Sequence, residues 1–347
     1  MAEELITIGL KSYNQIGYLR EAVEGVMSQT YRPLQIIIAD DAGTDGSWRW
    51  LKRRFGLPVD DENRHFVLNP EAGLEVMLHR NEVNLGNLGN WEVICSLAKG
   101  ELIVKADGDD VSSPDRVARV VEAWRKNGKK ALAVCHSGWQ IDRKGRWFGR
   151  LRQVTAASPL GAAMAFSPEL YRLFEQPGNG RLMDDDVYIR RAAMLGEVLE
   201  IPDRLVWYRL GGGDTTDPWK IRWQITGGCK YCLDVVPVTR MDLEHVRDKI
   251  GPERYERYKG ILDRHEKFCR NRLALATSGS WTRRLRAKRQ LPQGRLLGVA
   301  AYLNFALLMP KMIGDVLLFG YVLLRNVYWK LQRPKKLVAY CGADYLR

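Results

Sequence analysis

Carboxylates crowd three short stretches of this chain: Asp40, Asp41 and Asp45 in "IIIADDAGTDGS", Asp107, Asp109 and Asp110 in "VKADGDDVSSPDRV", and Asp184, Asp185 and Asp186 in "RLMDDDVYIRRAAMLG". Charges of one sign packed this closely repel, and the end of an apolar run is a costly place to hold them. Turn chemistry accounts for one such cluster, since Asp and Gly are ordinary turn residues. A helix start explains one aspartate of the third, because free N–H groups and the helix dipole favour it. Neither explains all nine. Something must neutralise them.

The elements that position them read as alternating strands and helices. Leu5–Leu10 is a buried strand, followed by a helix with Leu19, Ala22, Val23 and Val26 on one face. Leu34–Ala39 is a second apolar strand that runs into the first acidic cluster, and a helix with Trp48, Leu51 and Phe55 follows. Val76–His79 reads as a third strand, Trp91–Ala98 as a helix, and Leu102–Val104 as the strand delivering the second cluster. A helix over Arg116–Lys126, strands at Leu132–Cys135 and Trp139–Phe148, and a helix capped by Ser167-Pro168 come next. Continuous apolar strands alternating with helices indicate a parallel sheet covered on both faces. Such sheets bind ligands at the carboxyl ends of their strands, so the first two clusters should share one crevice.

At 347 residues and 46% apolar content the chain can bury a real core. The first twenty residues hold no apolar run behind a basic start, so no secretory signal is expected. Six dispersed cysteines fit a reducing compartment. Cys229-Lys-Tyr-Cys232, with His265 and Cys269 further on, matches structural-zinc spacing only weakly, and buried thiols account for it as well. The net charge of +13 is lopsided: from Trp281 onward thirteen Lys/Arg face Asp315 and Asp344, giving +11, which leaves +2 for the preceding 280 residues. A basic tail of this kind meets something anionic.

Four segments in order resemble family 2 glycosyltransferases of bacterial polysaccharide type, inverting enzymes, over roughly Ile6 to Asp217. They are "TIGLKSYNQIGYLREAVEGVMSQTY", "IIIADDAGTDGS", "NLGN" with "LAKGELIVKADGDDVSSPDRV", and "DDDVYIRRAAMLG" with "LVWYRLGGGDTT". The resemblance implies an α/β GT-A fold, Rossmann-like with a mostly parallel central sheet, carrying a C-terminal helical, membrane-associating extension. The expected divisions are a catalytic domain over 1–225, a helical extension over 226–280 and a basic, apolar tail over 281–347. Ala42-Gly43 stands where the family usually has Gly-Ser.

The same resemblance implies transfer of a sugar from a nucleotide-sugar donor to a hydroxyl of a glycan or polyprenyl-diphosphate-linked acceptor, in cell-surface polysaccharide synthesis. Asp107 and Asp109 form the family's DxD pair, with Asp109 the direct ligand of Mn²⁺ or Mg²⁺. A hard cation keeping several waters needs only one or two protein oxygens, and a metal diphosphate is then the expected counter-charge for Asp107, Asp109 and Asp110. Asp41 maps onto the residue that accepts the imide N–H of uracil or thymine, which favours a UDP or dTDP donor, while Asp40 and Asp45 brace the turn. Tyr13 and Asn84 flank the nucleotide. The spacing to Arg191 and Gly196 makes Asp185 the catalytic base and Asp184 its companion, an Asp where the family has Glu. "WKIRW" is similar to the Gln-x-x-Arg-Trp of processive members, which nominates Arg222 and Trp223, with Arg209, for diphosphate or acceptor contacts. Glycines 211–213 read as a loop over the site.

Residues 240–275 are helical and charged. Beyond them, "LLGVAAYLNFALLM" and "MIGDVLLFGYVLL" read as two short amphipathic helices lying in a membrane interface, each too short for a ~30 Å hydrocarbon core. A buried helical pair or a dimer interface is the plainer account. The expected site of action is the cytoplasmic face of the inner or plasma membrane, peripheral or monotopic. A sugar-nucleotide-forming nucleotidyltransferase would need a glycine-rich, Arg-containing loop where "KSYNQIGYL" stands. No nucleic acid is expected, because the tail mixes its charges with Leu, Val and Phe. A non-catalytic sugar-binding relative stays open.

Overall fold

The computed structural model describes residues 3–152, 160–178, 181–210, 221–290 and 307. The chain divides into two compact units, the first holding residues up to Leu210 and the second the helical residues that follow.

Among the described residues, the first unit holds ten strands and six α-helices. In chain order they are β1 (Ile6–Ser12), α1 (Ile16–Met27), β2 (Leu34–Asp40), α2 (Ser47–Arg54), β3 (His65–Glu71), β4 (Leu74–Arg80), α3 (Gly86–Leu97) and β5 (Leu102–Asp107). Then come β6 (Val111–Ser112), α4 (Arg116–Lys126), β7 (Ala131–Ile141), β8 (Trp147–Arg152), β9 (Met164–Phe166), α5 (Glu169–Leu173), α6 (Asp184–Leu195) and β10 (Glu197–Arg209). They form one sheet of order β3-β4-β2-β1-β5-β9-β7-β10-β6, with β8 paired to β7. β4, β2, β1 and β5 are parallel, as are β7 and β10; β3, β6, β8 and β9 run antiparallel to their partners.

β1 and β2 are buried along all seven residues, as expected of strands covered on both faces. α1 covers one face with Leu19, Ala22, Val23 and Val26, spaced for a single helical stripe. α3 covers the other face so closely that a Cβ at Gly9 would lie 2.4 Å from Ile94 Cγ2. The chain runs outward from β1 to β2 and β4, then returns to β5 on the other side of β1. This reversal opens a crevice at the strands' carboxyl ends. The register brings Lys11 opposite Asp107, Ser12 opposite Asp40 and Asp40 opposite Arg80.

Four strands escape a reading of the sequence. β3 exposes most of its positions, and its apolar run is only the three residues Phe66-Val67-Leu68. β6 has two residues and β9 three, too short for any period. β10 lay inside a motif and was not read as a strand. The stretches Leu132–Cys135 and Trp139 onward are one strand, β7, up to Ile141.

The second unit holds α7 (Ile221–His245), α8 (Arg247–Ile250), α9 (Pro252–Thr277) and α10 (Trp281–Gln290), in agreement with a helical, charged region. α7 and α9 pack on one another. Glu244 accepts from the Tyr255 hydroxyl, and Arg240 reaches Asp263 at 2.7 Å and Glu266 at 2.8 Å, so the pair is antiparallel. No helix among the described residues is long and apolar enough to cross a membrane. Glycines 211–213 and, Leu307 apart, both apolar tail segments expected to lie in an interface fall outside the described residues.

Candidate active site

A cleft of about 540 Å³ opens at the carboxyl ends of the central strands. Asp41, Asp107, Asp109, Asp110, Asp184 and Asp185 all line it, together with Tyr13, Asn84, Lys11 and Lys105. The three acidic clusters therefore meet in one place, with residues 41, 109 and 185 all lining it.

Its floor is a buried quartet of two lysines and two aspartates. Lys105 precedes Asp107 by two residues on β5, so strand alternation puts both side chains on one face. Lys105 Nζ donates to both Asp107 oxygens at 2.9 Å and lies 3.4 Å from Asp184 Oδ2. Lys11, at the end of β1, reaches Asp184 Oδ2 at 2.7 Å and Asp107 Oδ1 at 3.5 Å. Lys105 and Asp184 are 2% and 1% exposed at their side chains. The lysines hold the Asp107 carboxyl well below the usual carboxylate range, and the Asp107 and Asp184 charges outweigh burial to push Lys105 up. Asp107 thus has protein counter-charges of its own, where the sequence led one to expect a metal diphosphate.

Support for the quartet comes from beneath and from the side. Arg116, fully buried, donates to the Lys105 carbonyl at 2.7 Å, to Ser112 Oγ at 2.9 Å and from Nε to His136 Nε2 at 2.9 Å. Burial and the adjacent guanidinium push His136 well below its ordinary value, so it stays neutral and can accept. A Cβ at Gly161 would sit 2.2 Å from Lys105 Nζ, so the ammonium occupies the space a side chain would need.

Asp109, Asp110 and Asp185 have no such compensation. Asp109 is half-buried, and no ion pair among the described residues reaches it; burial and the Asp107 charge raise its pKa. Asp110 is buried, accepts the Arg209 backbone N–H at 2.6 Å, and is also raised by burial and by its neighbours. Asp185 accepts the Gly161 N–H at 3.1 Å, and burial together with Asp184 raises it. Asp186 pairs with Arg190 at 3.6 Å. Of the three aspartates opening α6, Asp184 is bound by lysines and Asp186 by an arginine. Asp185 is left facing the cleft.

The first cluster is largely structural. Asp41 accepts the Asn81 amide at 2.8 Å, the Leu85 N–H at 2.8 Å and the Gly86 N–H at 2.9 Å, fixing the loop into α3. Asn84 accepts the Gly86 N–H at 3.0 Å within that loop. Asp40 accepts the Gly43 N–H at 3.1 Å, and burial pushes it up to about 6. Asp45 accepts N–H groups of Ile16 and Ser47. Tyr13 stays 47% exposed on the rim.

Arg209 is occupied elsewhere than expected. Its guanidinium donates to the carbonyls of Asp109, Asp142 and Arg143 and to Glu21 at 2.7 Å, stacks 4.7 Å from the Tyr18 ring, and is 3% exposed. It bolts the β5–β6 turn to the β7–β8 turn and has no face left for a ligand. The side chains of Arg222 and Trp223 lie outside what the structure describes, in the first turn of α7.

Comparison with known proteins decides what this cleft belongs to. Residues 7–191, more than half of the chain, match the model described as glycosyl transferase family 2. The chain belongs to that family. It is 34% identical over 232 residues to glycosyltransferase GlyG of Streptococcus pneumoniae, covering 60% of this chain and 72% of that one. It is 25% identical over 228 residues to an uncharacterized glycosyltransferase of Nostoc, alr2836, covering 60% and 66%. It spans only 18% of the chondroitin synthase of Escherichia coli, at 28% identity over 141 residues. Among solved structures, S. aureus TarS 1–349 in complex with UDP-GlcNAc gives a TM-score of 0.51 at 12% identity, covering 97% of this chain and 95% of that one. The mannosyltransferase PcManGT of Pyrobaculum calidifontis, in complex with GDP-Man and Mn²⁺, gives 0.52 at 17% identity, covering 93% and 87%. These likenesses show a shared GT-A fold.

For this family 2 glycosyltransferase, reading the sequence overlooked Lys11, Lys105, Arg116 and Gly161. Lys105 had a visible signal: a lysine inside an apolar strand, two residues from an aspartate, demands a buried partner. Gly161 had none, because its crowding arises from a lysine distant in sequence.

Proposed function

We propose that this chain catalyses inverting transfer of a sugar from a nucleotide-sugar donor to a hydroxyl of a glycan or lipid-linked glycan in cell-surface polysaccharide synthesis. The observation that carries the reading is the convergence of Asp41, Asp109 and Asp185 on one cleft at the strand ends.

In this reading Asp185 takes the proton from the acceptor hydroxyl as its oxygen attacks the anomeric carbon. The bond from that carbon to the diphosphate breaks, and the electron pair leaves with the phosphate. Burial and Asp184 raise the basicity of Asp185, and the Gly161 N–H holds one of its oxygens. Asp184 is a positioning residue, its charge spent on Lys11 and Lys105. A hard divalent cation fits the donor set, since Asp109 offers carboxylate oxygens that no ion pair consumes and that electrostatics leave short of positive charge. Asp109, with Asp107 beside it, would hold Mn²⁺ or Mg²⁺, which when bound offsets charge developing on the diphosphate. Tyr13 and the Asn84–Gly86 loop flank the nucleotide, and Asp41 keeps that loop in place for base recognition.

The +11 tail supports a location at an anionic membrane surface, on the inner leaflet where a polyprenyl-diphosphate-linked acceptor resides. A thermal-shift panel of nucleoside diphosphates with and without Mn²⁺ tests the donor half. One nucleotide should stabilise the protein only when metal is present. Equal stabilisation by all nucleotides, or none with metal, would overturn it. Deleting residues 281–347 should abolish binding to anionic liposomes; retained binding would remove the membrane half.

A further inference from the structure

Outside the catalytic cleft, the helical second unit gathers four metal-ligating side chains. Cys229 and Cys232 lie one turn apart on α7; His265 and Cys269 lie one turn apart on α9, so each helix presents its pair on one face. The antiparallel packing of α7 on α9 brings the two pairs together. The Sγ atoms of Cys232 and Cys269 and a ring nitrogen of His265 all lie within 4.8 Å of one another. The Cys269 thiol shares hydrogen bonds with those of Cys229 and Cys232. Cys229 and Cys269 are 6% and 2% exposed, and Cys232 and His265 are half-buried.

We propose that Cys229, Cys232, His265 and Cys269 bind one structural Zn²⁺ that clamps α7 to α9. Tetrahedral zinc with bonds of about 2.0–2.3 Å holds its ligand atoms about 3.5–3.8 Å apart, so Cys232, His265 and Cys269 need only draw inward, while Cys229, outside that close group, must swing toward them by a rotamer change. Three sulfurs and one nitrogen form a closed set with no open coordination position, which marks a structural site. Binding exchanges three thiol protons for one dication and leaves a net charge of −1. Arg272 stands close enough to act electrostatically on Cys229, and its buried Nε has no hydrogen-bond partner among the described residues. That guanidinium supplies the compensating charge.

The helix being clamped needs support. Gly227 and Gly228 sit within α7 with nothing packed where their Cβ atoms would be, and Pro237 interrupts its hydrogen bonding. Glycine costs a helix interior about 1 kcal/mol each and proline about 3 kcal/mol. The ligands on α7 fall between these weak points. The 32 residues separating Cys232 from His265 make the spacing only a weak zinc match in the sequence, because a helical hairpin rather than a short loop closes the site.

The test is elemental analysis of the full-length protein purified without added metal, followed by Co²⁺ replacement. One zinc per chain is expected, with intense thiolate–cobalt charge-transfer and tetrahedral d–d bands after exchange. Cys269→Ser and Cys232→Ser should each lose the metal, whereas Asp109→Asn should retain it. Chelation should lower the Tm of the wild-type chain, and zinc alone, not Mn²⁺, should restore it. Reduced wild-type protein that carries no zinc and gives no cobalt spectrum overturns the proposal without reliance on any variant. So does a Cys229–Cys269 disulfide in the freshly isolated chain.

Discussion

The two halves of the catalytic cleft treat charge in opposite ways. Around Asp107 and Asp184, Lys11 and Lys105 neutralise the carboxylates within the protein, and Arg116 and the empty side of Gly161 hold Lys105 in place. Around Asp109 and Asp185, carboxylates are buried beside their own kind and their protonation is favoured. The first half is neutralised within the protein. The second is left electrically unfinished, as the proposed roles of holding a cation and taking a proton require. Folding stability and function therefore draw on different members of what looks, in sequence, like a single acidic signature.

The sharpest way to break this contrast is Asp185→Asn. It should lower kcat by about 10²–10⁴-fold while leaving nucleotide affinity nearly unchanged, the mark of a lost proton acceptor. A loss of nucleotide affinity with kcat preserved would move Asp185 out of the base role. On the scaffold side, Lys105→Met leaves Lys11 alone to neutralise Asp107 and Asp184 and should cost about 3 kcal/mol in denaturant unfolding. Arg209→Lys, which leaves buried carbonyls at the β5–β6 turn short of donors, should cost about 1–3 kcal/mol with little change in nucleotide affinity. Asp109→Asn should do the reverse of Lys105→Met. It relieves repulsion, so the ligand-free protein should gain about 0.5–2 kcal/mol while metal-dependent nucleotide stabilisation disappears. A destabilised Asp109→Asn protein would place that residue in the scaffold instead.

The pH profile gives the mildest test. Asp185 acts as a base only when ionised, and its pKa is raised, so activity is lost as pH falls through a value above the ~4 of an ordinary aspartate. The acid limb of kcat/KM should therefore lie at higher pH than an unperturbed carboxylate would give. An acid limb at or below ~4 would show that the cleft leaves Asp185 unperturbed.

The parallel half of the sheet was legible because β1 and β2 are continuous apolar runs, and a strand buried on both faces has no other way to be written. The positions of the acidic clusters were legible too, because each follows such a run or opens a helix. The roles within the clusters were not. Asp41 and Asp109 look alike in sequence, yet one is spent on three donors from the loop into α3 and the other keeps its oxygens. Arg209 looked like a ligand-binding arginine until the turns around it were seen to consume its guanidinium.

By itself, then, the sequence determined the alternation of strands and helices, the crevice at the strand ends and the family of the chain. These follow from local periodicity and from motifs written on contiguous residues. Only the tertiary structure decided which carboxylates are neutralised and which cysteines meet a histidine. Those outcomes depend on lysines from separate strands converging on one helix start, and on two helices folding back on each other. Charge compensation acts across space within a few ångströms, and no spacing along the chain encodes it.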